Sequence, residues 1–303
     1  IARVMAVNSL FSEEKITHNF SHMGDLFLTL PMDRGPGPQS PLPKGPEMTL
    51  PAGFDDWIKA RSVTALVVLK NGEIRHESYY QGTEPEDRRV SWSVAKSFLS
   101  ALLGIVLEEG AIGSIEDPVT KYAPSLKGTA YANASIEDVL QMESGVAFNE
   151  DYLDFWSDIN QMGRVLALGQ SMDGFTEGLS ETERAPGEKW QYVSIDTHVI
   201  GMVIRGATGR SIPDLMQEKI IDKMGFEGDP YYLSDGYETA FVLGGLNLRT
   251  RDYARFGEMV MQGGEWQGEQ VVPQDWLEAS TKPSAKTAAG AQQYGYQWDA
   301  RRC

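Results

Sequence analysis

Ser93-Val94-Ala95-Lys96 places a hydroxyl and an amine three residues apart. On a helix, positions i and i+3 share a face, so the two groups can meet. A serine hydroxyl is a poor nucleophile until a neighbour takes its proton. A lysine desolvated against apolar surroundings has its pKa pushed down and becomes a base able to take that proton. A helix N-terminus adds positive potential where an oxyanion develops. These residue types at this spacing point to attack on a carbonyl. Spacing alone is not enough, because Ser12-Glu13-Glu14-Lys15 repeats it in a charged surface stretch. Ser93 differs in context. It follows Ser91-Trp92 after a polar loop and opens a run (Phe98, Leu99, Leu102, Leu103, Ile105, Val106, Leu107) with almost no polar face. A helix of that kind is central and buried.

A second element is Trp190-Gln191-Tyr192-Val193-Ser194, a Y-x-S just before another apolar run. Pro186-Gly187 predicts a tight turn that presents Tyr192 at a loop tip. A phenolate near a lysine ammonium is stabilised and is able to act as the base for Ser93. Tyr131-Ala132-Asn133 and Tyr232-Leu233-Ser234 fit the same pattern, so the motif is weak alone. Competing signatures are absent. Gly169-Gln170-Ser171-Met172-Asp173-Gly174 has the wrong spacing for a nucleophile elbow, and no phosphate-binding glycine loop occurs. His198 lies inside an apolar helical run and reads as a core or edge histidine rather than a triad member. The four histidines (His18, His22, His76, His198) lack metal-ligand spacing. The single cysteine, Cys303, permits neither an internal disulfide nor a thiolate cluster. No metal and no organic cofactor is implied, since Ser–Lys–Tyr chemistry needs none.

Several elements must position these groups. Thr64 to Leu69 is a β-favouring run, Asn71-Gly72 a two-residue turn signal, and Glu73 to Tyr80 the returning strand. The helical pattern from Ser93 to Glu109 ends at Gly110. Ser135-Ile136-Glu137-Asp138 resembles a capping box. Ile195 to Ile204 predicts a helix closed by Gly206 and Gly209, and Ser211-Ile212-Pro213-Asp214 opens another that ends near Lys223 and Gly225. Glu238 to Leu248 has room for a short strand, and Arg251 to Gln262 predicts a helix. Residues 1–30 show no clear period, and 31–46 are rich in Pro and Gly, as in an extended surface connector. Strands early, helices in the middle and mixed elements late predict an α/β (α+β) chain with an inserted helical lobe. The expected division is an N-terminal extension (1–50), an α/β lobe (51–96 with 230–303) and a mostly helical lobe (97–229).

The 303 residues, 41% hydrophobic, suffice for a large core. A net charge of -16 repels phosphate backbones and anionic membranes, which excludes nucleic acid and a membrane surface as partners. No apolar run reaches transmembrane length, and the segment from Ile1 lacks a signal peptide's apolar stretch, so a cytoplasmic setting is expected.

Taken together, the motifs resemble the serine β-lactamase and penicillin-binding-protein superfamily. More narrowly they resemble its class C-like branch of esterases and aminohexanoate-oligomer hydrolases. The resemblance runs from about residue 55. It includes Val90 to Phe98, Gln141 to Val146, Glu150-Asp151-Tyr152, Pro186 to Tyr192, Arg251 to Gly257, and Tyr294 to Trp298. It implies an antiparallel sheet flanked by helices, with the helical lobe inserted. Ser93 would be acylated, Lys96 and Tyr192 would share base and acid duties, and water would release the acyl group. Tyr152 matches a substrate-contacting tyrosine and Asn247 falls near another pocket position, with Trp190 and Ser194 flanking Tyr192 beside the substrate. The family's third motif should follow Trp298 on a strand that supplies half of the oxyanion hole, yet the sequence runs only five residues further. The last strands are therefore expected to be missing from the α/β lobe. Lys286-Thr287-Ala288 precedes that segment and is a chance likeness to K-T-G. The expected activity is hydrolysis of small carboxylic esters or linear amides, with oligomeric state left open. Y-x-S in place of Y-x-N ranks action on β-lactams or D-Ala-D-Ala peptides lower. A catalytically idle binding protein on the same fold is the alternative from another class.

Overall fold

The computed structural model describes residues 2–300. A short helix α1 (Ala2–Asn8), strand β1 (Leu28–Pro31), strands β2 (Ala65–Lys70) and β3 (Glu73–Tyr79), and strand β4 (Arg88–Val90) precede the helix α2 (Val94–Glu108). Helices α3 (Asp158–Ala167) and α4 (Ser194–Thr208) lie in the middle of the chain. Strands β5 (Tyr231–Ser234) and β6 (Leu246–Arg249) and helices α5 (Thr250–Met261) and α6 (Gln274–Thr281) follow. The order in the main sheet is β1-β5-β6-β4, every pair antiparallel. The hairpin β2–β3 forms its own ladder. Antiparallel strands combined with helices give the mixed architecture that the sequence predicts.

The hairpin turn shows why Asn-Gly is found there. Asn71 and Gly72 both hold positive φ, 54° and 77°. A two-residue turn whose twist matches the strands requires that conformation at both positions.

Helix α2 is the axis of the core. Its residues from Phe98 to Val106 are all buried, as expected for a helix without a polar face. Each buried leucine there contributes about 2 kcal/mol. Phe98 stacks on Phe256 of α5 with ring centroids 3.6 Å apart. On another side, α6 approaches so closely that a Cβ on Gly104 would lie 2.1 Å from the Trp276 ring. The Trp276 indole then donates to the Ser100 carbonyl at 2.9 Å.

The structure sharpens three sequence expectations. The stretch without a clear period holds α1, the helix Ile16–Ser21 and the start of β1. Strand β1 pairs with β5 from Leu28↔Ser234 to Pro31↔Tyr231 and forms one edge of the main sheet. These elements are too short to display a period, and the β1 partner lies far along the chain. Gly206 does not end α4; Gly209, at φ 67°, does. A Cβ on Gly206 would fall 1.8 Å from the Tyr122 carbonyl oxygen, so that glycine serves a close approach inside the helix. The short strand expected within 238–248 is β6, which starts at Leu246 after Ala240–Gly245 turns back on itself through Gly245 N–H to Phe241 O at 2.8 Å.

Candidate active site

The nucleophile candidate stands where the main sheet hands over to α2. After β4, the Ser91 N–H donates to Leu246 O at 2.7 Å, which extends the ladder by one bond. Trp92 then takes a left-handed φ of 43°, and Ser93 occupies the N-cap position of α2. A serine there ordinarily caps the helix with its hydroxyl. Ser93 makes no such bond. Its Oγ instead accepts from Lys96 Nζ at 3.0 Å and from Tyr192 OH at 2.9 Å. The residue is thus held for its neighbours and not for the helix.

Lys96 is only 2% exposed and also donates to the Leu243 carbonyl at 2.8 Å. Burial pushes its pKa down to about 7, against an opposing pull from the Glu150 charge. Burial pushes the Tyr192 hydroxyl up to about 12; the bond to Ser93 opposes this and Glu150 reinforces it. Tyr192 is carried by a braced loop. Gln191 N–H donates to Met142 O at 2.9 Å, and Arg184 donates to the Gln191 side chain at 2.6 Å. Tyr294 meets the Tyr192 ring edge-on at 6.4 Å.

The structure adds Glu150, which sequence reasoning did not single out. Its carboxylate accepts from Ser194 N–H at 3.0 Å, from Ser194 Oγ, and from Tyr152 OH at 2.8 Å. It therefore caps the head of α4 and ties the Tyr152 loop to it. Quoting Glu150-Asp151-Tyr152 as a motif flagged the segment, but nothing local showed where the carboxylate points.

Two cavities meet at Ser93 and Lys96. One, of about 430 Å³, opens between the N-terminal segment and residues 152–166. The other, of about 520 Å³, lies between α5 and residues 294–299 and is also lined by Tyr192. A larger cavity of about 610 Å³, lined by Glu150 and Gln191, does not reach Ser93; size alone does not mark the chemistry.

The other expected residues are placed as follows. Tyr152 and Ser194 line the first cavity, although both hydroxyls are engaged by Glu150. Trp190 packs beside Tyr192 and Tyr294, at 6.5 and 5.8 Å, and borders neither cavity. Asn247 departs further from expectation. It is fully buried in β6 opposite Val90, with its amide donating to Gly245 O at 2.9 Å, and it lines neither cavity. Register decides this, since neighbours in a strand face opposite sides. His198 pairs with Asp173 at 2.7 Å, far from a triad role. Lys286 braces the Tyr192 loop, its N–H donating to Glu143 at 2.6 Å and its carbonyl accepting from Trp190 N–H at 3.2 Å. Cys303 lies outside the described residues. Among the described residues, no group of three His, Cys, Asp or Glu side chains is arranged to hold a metal ion. No described helix is long and apolar enough to cross a membrane.

Residues 54–302 match the Beta-lactamase family, and the chain belongs to it: it is a hydrolase of the β-lactamase fold. A relative, the 6-aminohexanoate-dimer hydrolase of Paenarthrobacter ureafaciens, is 29% identical over 285 residues, covering 89% of this chain and 72% of that protein. A Bacillus anthracis structure provisionally named as a 6-aminohexanoate-dimer hydrolase superposes with a TM-score of 0.81 at 21% identity, covering 95% of this chain and 81% of that one. A family VIII carboxylesterase shares the fold with a TM-score of 0.54 at 14% identity, over 70% and 67% of the two chains.

Proposed function

We propose that this chain is a serine hydrolase that forms an acyl-enzyme on Ser93 and cleaves small carboxylic esters or linear amides. The observation that carries the reading is the convergence of Lys96 Nζ and Tyr192 OH on Ser93 Oγ, at 3.0 and 2.9 Å. With its pKa near 7, Lys96 is substantially neutral at physiological pH and serves as the base. Tyr192, near 12, keeps its proton and serves as the acid. Of the two bases the sequence offers, this division takes Lys96 and leaves Tyr192 as the acid.

In the proposed cycle, Ser93 Oγ forms a bond to the carbonyl carbon as its proton passes to Lys96. The oxyanion develops at the head of α2, where the backbone N–H of Ser93 and the helix dipole favour negative charge. Collapse breaks the bond to the leaving oxygen or nitrogen, which takes the Tyr192 proton; Lys96 then restores it. Water attacks the acyl-enzyme by the reverse sequence, its proton accepted by the Lys96–Tyr192 pair and Ser93 leaving as the hydroxyl. The relationship to the Paenarthrobacter ureafaciens hydrolase supports linear amides within the substrate range.

The test is exposure to a fluorophosphonate followed by intact-mass analysis and peptide mapping. A single adduct on Ser93, lost in Ser93→Ala together with ester hydrolysis, is expected. Full ester activity in Ser93→Ala refutes the assignment. Nitrocefin turnover comparable with ester turnover would move the substrate class to β-lactams.

A further inference from the structure

We infer that the cavity of about 430 Å³ is the acyl-chain subsite and that Phe11, from the N-terminal segment, sets its specificity for an uncharged, apolar acyl group. The inference rests on the acyl-enzyme reading above and assigns the two halves of the substrate to the two cavities.

The direction follows from proton transfer. Ser93 and Lys96 border both cavities, whereas Tyr192 borders only the one beside α5. A general acid must reach the atom it protonates. The leaving group therefore lies on the Tyr192 side, and the acyl chain must extend into the opposite cavity.

The lining selects the chemistry. Leu10, Phe11, Phe27, Trp92, Phe241 and Leu243 make its walls largely apolar. Its titratable basic residues are Lys96 and Arg164, and no carboxylate lines it. Arg164 is turned toward Phe155, donating to that carbonyl at 2.8 Å with its guanidinium 4.3 Å from the ring centroid. Glu150 lies behind Ser194 and Tyr152, already accepting from both. A chain ending in an ammonium would leave water without finding an anion, at a net loss. An alkyl chain would gain from the same walls.

The N-terminal segment is part of this site and not an appendage. The Phe11 ring stacks on Trp92 at 5.7 Å with 27° between planes, and Phe20 meets Trp92 edge-on at 5.4 Å. Trp92 is the positive-φ residue directly before the nucleophile. Phe11 is nevertheless 64% exposed, and across the mouth Leu153 is 97% exposed. Exposed apolar side chains rimming one opening mark a surface that awaits an apolar ligand.

The experiment uses p-nitrophenyl esters, which hold the leaving group constant while the acyl group runs from acetate through butyrate to hexanoate, with the 6-aminohexanoate ester as the charged counterpart. Each methylene entering the cavity should raise kcat/KM about fourfold. Hexanoate should exceed 6-aminohexanoate by about tenfold or more. The readout is the hexanoate-to-acetate ratio within each variant, so a loss of folded protein cancels. Phe11→Ala should lower that ratio, and Phe11→Trp should move the preferred chain to a shorter one. An unchanged ratio in both variants, or an aminohexanoate ester as good as hexanoate, overturns the subsite assignment while Ser93 labelling leaves the parent reading intact. Absence of both labelling and ester cleavage overturns the parent reading and this inference with it.

Discussion

The pH dependence of Ser93 acylation tests the chemistry most directly. Lys96 departs from the ordinary lysine value of 10.5 and lies near 7, chiefly because it is buried. At pH 7 roughly half of the molecules would then carry a neutral amine, against about one in three thousand for an unshifted lysine. The second-order rate of fluorophosphonate labelling, followed by intact mass between pH 5 and 10 at constant ionic strength, should rise about tenfold per pH unit below pH 6.5 and level off above about pH 8. Tyr192, near 12, predicts no falling limb within that range. Glu150 works against the burial of Lys96 by favouring its charged form. Glu150→Gln should therefore move the rising limb to lower pH, an outcome that simple loosening of the loop would not produce. Labelling that continues to climb tenfold per unit up to pH 10 would refute a desolvated Lys96 as the base, as would an unaltered limb in Lys96→Met.

Three further outcomes are expected. Tyr192→Phe should lower turnover by about 10²- to 10⁴-fold, with a linear amide losing more than a p-nitrophenyl ester because the poorer leaving group depends more on the acid; equal losses on the two substrates would exclude that role. Gly104→Ala should destabilise the fold by about 1–3 kcal/mol in urea unfolding, since the new methyl collides with Trp276, and a change below about 0.5 kcal/mol would mean that α6 shifts freely. Asp196 is fully buried, and burial pushes its carboxyl up to about 8 although Tyr131 and Ser144 donate to it at 2.6 and 2.8 Å. Its folded pKa exceeds the unfolded value, so its contribution to stability is complete below about pH 4 and is lost as pH rises through 8. The Tm of the unmodified protein should accordingly fall relative to Asp196→Asn between pH 5 and 8.5, and a constant difference across that range would contradict the assignment.

Much of the candidate site is legible in the sequence because its geometry is local. Ser93 and Lys96 share a helix face by spacing alone, and the unbroken apolar run after them requires that the helix be buried, which in turn displaces the lysine pKa. The Asn71-Gly72 turn and the Ser135–Asp138 capping box are equally local, and both form. Tyr192 needed a resemblance, since nothing in Trp190 to Ser194 distinguishes it from the other tyrosines of the same pattern. Asn247 shows the limit of such a transfer: proximity along the chain to a pocket position did not reveal that β6 turns its side chain toward the backbone of Gly245 and Tyr231.

By itself, then, the sequence determined the pairing of Ser93 with Lys96, the central helix and the mixed architecture, each resting on contacts within a turn or a strand pair. Tertiary structure alone decided the rest. It brought β1 to β5, placed the Glu150 carboxylate at the head of α4, and set Phe11 against Trp92 beside Ser93. It also moved the Lys96 and Tyr192 pKa values in opposite directions, because a pKa depends on how completely distant parts of the chain exclude water: Lys96 donates to the Leu243 carbonyl and Tyr192 packs against Tyr294. Desolvation and cavity shape are sums over residues remote in sequence, and no local pattern carries those sums.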